Sequence, residues 1–237
     1  MSDFPPPPPP GFASSVAVPR ESVSPTLAKW TFGMLWLSGV AAAVRGLLAF
    51  GVDQSLNEFL DTFDDSALED FLNRADAYDT IDSVFAISML ATFVLLIIFS
   101  FRSYKAGQSL WSGNRKWSRG FSVGGWFIPF ANAYIPASLL IETDKISRGS
   151  RANGYVDESW RNLERNNQFV VWFALYTVGI VLASRISSLD ANVDDLEEIS
   201  NSLVLGAVGN GCLFAASIVG GLALKRMSER LSPSAIG

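Results

Sequence analysis

The residues of this chain that could do chemistry are few, and their types exclude most enzyme classes. The 237 residues include no histidine, so the commonest general base and the imidazole metal ligand are missing. The single cysteine, Cys212, lies in an uncharged run and cannot form an intrachain disulfide or a thiolate cluster. The acidic groups at 61–65 and 194–198 lack the spacing of a calcium loop. We therefore expect no catalytic residue, no metal, no cofactor and no enzymatic activity.

Two arginines within or at the edge of long apolar runs, Arg45 and Arg185, are the candidates for an intramembrane charge. An ionisable side chain inside a membrane segment is costly and often functional. An arginine near the end of a span can instead reach outward to headgroups or to acids such as Asp53, Asp82 or Asp190. Both interpretations stay open for Arg185, whereas for Arg45 we predict an outward-pointing, paired side chain.

Three basic residues, Arg115, Lys116 and Arg119, alternate with the aromatic residues Trp117 and Phe121. Such a patch could bind nucleic acid, but its place beside apolar runs favours anionic lipid headgroups. A role in setting membrane orientation alone is the other interpretation. We expect a lipid bilayer as partner and no nucleic acid.

The elements that must position these residues are membrane helices. The chain is 49% hydrophobic and 17% charged, with a mean hydropathy of +0.26, whereas soluble domains carry about 25% charged residues. Crossing the hydrocarbon core takes about 20 apolar residues. Four runs meet this requirement, at about 30–52, 83–101, 166–185 and 200–224. The sequence therefore predicts an all-α, polytopic integral membrane protein with four transmembrane helices.

A fifth uncharged stretch, residues 121–141, is long enough but contains Pro129, Asn132 and Pro136 in its middle. Proline frees backbone carbonyl groups that lipid cannot satisfy, so such a segment must lean on protein or on headgroup water. We predict that it is a proline-broken interfacial or re-entrant segment.

The loop charges predict the orientation, because cytoplasmic loops are rich in lysine and arginine. Residues 53–82 hold ten acids and one arginine, and residues 190–198 hold five acids and no base. Residues 102–165 hold ten basic residues against five acids. We expect a multi-pass protein of the plasma membrane with both termini in the cytoplasm.

The ends of the chain differ from its centre. Residues 1–28 contain eight of the eleven prolines and predict a disordered, Pro/Ser-rich cytoplasmic tail that could contact a protein partner. Residues 29–225 form the predicted membrane domain, and residues 226–237 a second cytoplasmic tail. A stripe of small residues at 207, 211 and 215 favours either packing within the bundle or a homo-oligomer.

One block of the sequence resembles a known family. It begins at Trp117, continues through a glycine-containing spacer and ends shortly before Glu142. The pattern resembles the core of a bacterial membrane family, domain-of-unknown-function family number 4328. The resemblance covers roughly residues 30 to 225 and implies a four-helix membrane protein with no assigned activity. The matching positions, for which we predict a structural role, are Trp117, Trp126, Phe127, Pro129, Asn132 and Pro136.

These features favour a non-enzymatic scaffold or interaction protein of the bacterial cytoplasmic membrane. The alternative is a subunit of a small-molecule or ion transporter or channel, with Arg45, Arg185 and the proline-broken segment as elements of its pathway.

Overall fold

The computed structural model describes residues 21–128, 131–150, 156–187 and 196–232. These residues form helices and turns, with no strand among them. Four helices are long and apolar enough to cross a membrane, which confirms the predicted all-α fold with four candidate spans. They are α1 (Pro25–Thr62), α2 (Asp65–Leu110), α5 (Asn167–Ser187) and α6 (Leu196–Arg230). Between α2 and α5 lie two shorter helices, α3 (Phe121–Gly124) and α4 (Ile135–Gly149), and the 3-10 turns Ala131–Ala133 and Glu158–Asn162.

The helices α1 and α2 are much longer than a span. Their 38 and 46 residues correspond to about 57 and 69 Å at 1.5 Å per residue, against a hydrocarbon core of about 30 Å. The acidic residues 53–82 thus extend both spans into a helical hairpin. Its turn places Phe63 in the left-handed region (φ 51°), and the Asp64 carboxylate begins α2 by accepting a hydrogen bond from the Ser66 hydroxyl at 2.8 Å. Hydrogen bonds from Ser66 lower the pKa of Asp64.

The four long helices pack in the order α2, α1, α6, α5. Each packs against its neighbour in this order, and α2 and α5 have no extensive contact of their own. We call the end where α1 and α5 begin the basic end, because residues 102–165 lie there, and the opposite end the acidic end. The space between α2 and α5 must be filled by another part of the chain.

Small residues allow the close helix crossings. A Cβ atom added at Gly39 of α1 would lie within 2.5 Å of the Cβ of Ser217 in α6. A Cβ at Gly209 of α6 would lie 2.4 Å from the backbone nitrogen of Ala183 in α5. A Cβ at Gly211, which belongs to the predicted small-residue stripe, would meet no atom within 4 Å. The α5–α6 crossing therefore depends on Gly209, and Gly211 faces open space.

The stretch 121–141 is not a spanning helix. It contains α3, the turn at Ala131–Ala133 and the beginning of α4. Pro136 lies in the first turn of α4, where its missing N–H costs no hydrogen bond; Pro129 lies outside the described residues. The Trp126 ring contacts Phe93. Phe93 lies eight residues before the end of the predicted span 83–101, which corresponds to about 12 Å along the helix. The segment thus enters the bundle between α2 and α5, as a re-entrant turn would.

Candidate functional site

The proline-broken segment 121–141 fills the space between α2 and α5 with aromatic side chains. Buried Trp126 lies 5.7 Å from the Phe93 ring of α2 and 6.3 Å from the Phe173 ring of α5, centroid to centroid. Phe127 also contacts Phe93, at 6.0 Å, but is 64% exposed on the outside of the bundle. Asn132 lies in the same gap, in a cavity of about 200 Å³ that Tyr176 and Ile180 also line. Trp126 therefore connects two helices that do not otherwise pack together.

Trp117, the first residue of the family block, fastens the connection after α2 to α4. Its indole Nε1 donates a hydrogen bond to the Ser138 hydroxyl at 3.0 Å, and its backbone carbonyl accepts one from the Tyr104 hydroxyl of α2 at 2.9 Å. Its ring packs on Phe121 with a centroid distance of 5.2 Å.

Arg115 points into the protein rather than toward headgroups, which differs from the expectation. Its side chain is 3% exposed, and its Nε lies 3.6 Å from Oε2 of Glu142. The guanidinium also donates to the Thr143 hydroxyl at 2.7 Å and lies over the Tyr104 ring at 4.0 Å. Burial lowers the pKa of Arg115, and the charge of Glu142 acts in the opposite direction. The physical reason for the inward position is that α4 presents a buried carboxylate to it.

The other two basic candidates are exposed. The Lys116 ammonium donates to the Tyr134 hydroxyl at 2.6 Å, which lowers the pKa of that phenol. The Lys116 backbone N–H donates to Glu142 Oε1 at 3.0 Å. Arg119 lies over the Phe101 ring at 4.9 Å. Both cationic groups remain available at the surface of the basic end.

A second buried carboxylate, Asp144, joins α4 to the end of α6. Its side chain is fully buried and forms ion pairs with Arg230 at 2.7 Å and Arg148 at 3.0 Å. No sequence pattern marks the pairing of Asp144 with Arg230, which are 86 residues apart. The only local signal is the spacing of Asp144 and Arg148, one helical turn apart.

At the acidic end, Arg45 forms an ion pair with Asp82, one of the three acids that the sequence offers. Its Nε lies 2.5 Å from Asp82 Oδ1, and its side chain is 8% exposed. The guanidinium also contacts the amide oxygen of Asn210 at 3.5 Å and lies over the Tyr78 and Phe85 rings at 5.4 and 5.2 Å. Four groups from two helices, α2 and α6, therefore surround one intramembrane charge on α1. Arg185 lies exposed near the end of α5.

A narrow internal cavity lies between Arg45 and Trp126. Its volume is about 40 Å³, space for very few water molecules. The serine and threonine hydroxyl groups that line it, those of Ser38, Thr92 and Ser217, already donate to backbone carbonyls of α1 or α6 at 2.7–3.0 Å. Phe85 lines the cavity on the side of Arg45. Arg45 is not among the residues that line the cavity, and no set of three metal-ligating side chains occurs within the described ranges.

The four apolar helices and the charged groups at their ends define a polytopic helical membrane protein. The chain belongs to the family named Domain of unknown function (DUF4328), whose model matches residues 64–229. This confirms the resemblance, although α1 lies outside the matched range. No curated protein and no solved structure matches the chain.

Proposed function

We propose that this protein is a non-enzymatic scaffold of the bacterial cytoplasmic membrane, with its termini and its basic end in the cytoplasm. The excess of lysine and arginine in residues 102–165 and of acids in residues 53–82 supports this orientation. The basic end would carry the contact surfaces, together with the proline-rich tail of residues 1–28.

The observation that carries the proposal is the internal neutralisation of the bundle. The Arg45 charge is balanced by Asp82, and the hydroxyl groups of the cavity donate to carbonyls of the helices. A transport pathway requires polar groups that exchange partners with a substrate or an ion. Serine and threonine hydroxyl groups that are satisfied by the helices around a cavity of only about 40 Å³ favour a static anchor.

Orientation is tested by single-cysteine labelling in a Cys212→Ala background. We expect a membrane-impermeant thiol reagent to label Asp61→Cys in intact cells and to label Ser112→Cys only after the membrane is opened. Labelling of Ser112→Cys in intact cells would reverse the proposed orientation.

The scaffold role is tested by crosslinking in cells that express either the full chain or a chain lacking residues 1–20. We expect a defined protein partner that is lost with the tail while the truncated chain still inserts. A set of crosslinked proteins that does not change with the deletion would contradict a tail-mediated scaffold.

The transporter alternative rests on one observation. The indole Nε1 of Trp126 is buried and has no acceptor among the described residues, so a small polar ligand could satisfy it. Solute uptake into vesicles that contain the purified protein, abolished by Trp126→Phe, would favour this alternative.

A further inference from the structure

Two adjacent cavities at the basic end have opposite chemistry. The first, the cationic pocket, has a volume of about 400 Å³, and its lining includes Lys116, Lys145 and Arg161. The second, the apolar groove, has a volume of about 580 Å³ and runs along α5 past Val170, Ala174 and Val178. Ser138 and Ile141 of α4 line both cavities, so the two cavities lie side by side along α4.

The cationic pocket holds more positive charge than its own carboxylate can balance. Glu142, the acid in its lining, is already engaged by Arg115 and by the Lys116 backbone N–H. The remaining cations contact neutral oxygens. Lys116 donates to the Tyr134 hydroxyl at 2.6 Å, Lys145 to the Arg161 carbonyl at 3.2 Å, and Arg161 to the Asn114 carbonyl at 2.7 Å. Within the described part of the chain, none of the three forms an ion pair.

The apolar groove is elongated and lined largely by apolar side chains, so an acyl chain can lie along it. Val170, Ala174 and Val178 are spaced by four residues, so they form one stripe on α5 of about 12 Å. All three are exposed, although their helix is apolar enough to lie in a membrane. Because α5 begins at the basic end, the groove leads from the pocket into the apolar part of the bundle.

We propose that this site binds one anionic phospholipid, with its phosphate group held by Lys116, Lys145 and Arg161 and an acyl chain in the α4–α5 groove. The charge supports a phosphate, because basic pockets at the headgroup level of membrane helices bind anionic lipids. The groove supports a lipid over a soluble phosphate, because a soluble ligand would leave it empty. The inference deepens the proposed function and rests on it only in placing the basic end at the membrane surface.

The test is native mass spectrometry of the full chain in detergent, with phosphatidylglycerol and phosphatidylcholine of identical acyl chains in equal amounts. We expect the native protein to retain phosphatidylglycerol preferentially. The triple variant Lys116→Gln, Lys145→Gln, Arg161→Gln should lose about tenfold of that preference. A matched variant, Lys29→Gln, Arg102→Gln, Lys225→Gln, removes three exposed charges of the same end outside the pocket and should change the preference by about twofold or less.

A second pair of measurements tests the role of the apolar groove independently of the cationic pocket. Ala174→Phe fills the groove and should weaken binding of both lipids equally. Excess glycerol phosphate, which has the headgroup chemistry without acyl chains, should not displace the bound lipid. Displacement at a concentration similar to that of phosphatidylglycerol would identify a soluble phosphate as the ligand and overturn the lipid assignment.

Two other outcomes would also overturn the site. One is an unchanged preference in the pocket variant, and the other is an equal loss in both triple variants. Detergent melting curves establish that each variant is folded, and if the triple variant is not, Lys116→Gln with Arg161→Gln changes two exposed side chains only. Failure to find any tail-dependent protein partner, with the lipid preference intact, would instead contradict the scaffold and leave the lipid site standing.

Discussion

Each end of the molecule buries at least one charge of opposite sign to its surface. The basic end buries the carboxylates of Glu142 and Asp144, and the acidic end buries the guanidinium of Arg45. In each case the buried charge lies on a helix and pairs with an oppositely charged side chain from another segment. Removing one partner of a buried ion pair is strongly unfavourable, because it leaves an uncompensated buried charge. The surface charge of each end thus supplies the partners that hold the neighbouring segments in place.

The ion pairs Arg115–Glu142 and Arg45–Asp82 differ in how far their partners are buried. At the basic end, Arg115 and Glu142 are both nearly inaccessible, with side chains 3% and 9% exposed. At the acidic end, the partner of Arg45 is Asp82, which is 43% exposed, so water shares in its solvation. We infer that the basic end depends more strongly on its ion pairs, and four predictions test this comparison.

The largest effect is expected for Glu142→Ala. The substitution leaves the Arg115 guanidinium buried without its carboxylate, which should lower the free energy of unfolding by about 3–5 kcal/mol. The double variant Glu142→Ala, Arg115→Met removes both charges and should be clearly more stable than Glu142→Ala alone. Melting in detergent checks both variants. Equal destabilisation by the single and double variants would show that the ion pair does not hold α4.

The corresponding change at the acidic end should cost less. Asp82→Ala leaves Arg45 without its carboxylate, but the guanidinium keeps Asn210 and can reach water beside a half-exposed site, so we expect about 2 kcal/mol. Arg45→Leu should cost less still, because it also removes the expense of a charge within a span. A larger loss for Arg45→Leu than for Asp82→Ala would reverse the proposed roles of the two residues.

The third prediction concerns the contribution of helix packing, between the two ends, to the stability of the protein. Gly209→Ala puts a methyl group against the α5 backbone and should cost about 1–3 kcal/mol. Gly211→Ala, two residues away in the same helix, meets no atom within 4 Å and should be neutral or slightly stabilising. Similar melting temperatures for the two variants would mean that α5 and α6 can move apart to accommodate the methyl group without a loss of stability.

The sequence predicted the features that depend on local composition. The four helices follow from runs of about 20 apolar residues. The charges of the loops restricted the partner of Arg45 to three acids, one of which, Asp82, lies beside it. The interruption of the stretch 121–141 follows from prolines that a spanning helix would not tolerate, and this predicted an interfacial or re-entrant segment.

Features that depend on residues far apart in the chain could not be predicted from local composition. An acid in an amphipathic helix is normally assigned to the solvent face, and the burial of Asp144 depends on Arg230 at the far end of the chain. Likewise, small residues are frequent along α6, and only the approach of α5 distinguishes Gly209 from Gly211. The inward turn of Arg115 has the same cause, because its carboxylate comes from a helix 27 residues further along the chain.

The smallest effect is expected at the contact between the two described chain ends, and it depends on pH. The Val23 backbone N–H donates to the Leu231 carbonyl at 3.0 Å, and the preceding Glu21 pairs with Lys105 of α2. The hydrogen bond from Lys105 lowers the pKa of Glu21 below its ordinary value of 4.5. A lowered pKa in the folded state means that the pair contributes stability at neutral pH and loses it as the pH falls through the lowered pKa. Glu21→Gln should therefore reduce the melting temperature slightly at about pH 7, and the difference should vanish at an acidic pH below the lowered pKa, where the native carboxylate is also protonated. A difference of the same size at both pH values would mean that Glu21 holds the chain ends through its shape and not through its charge.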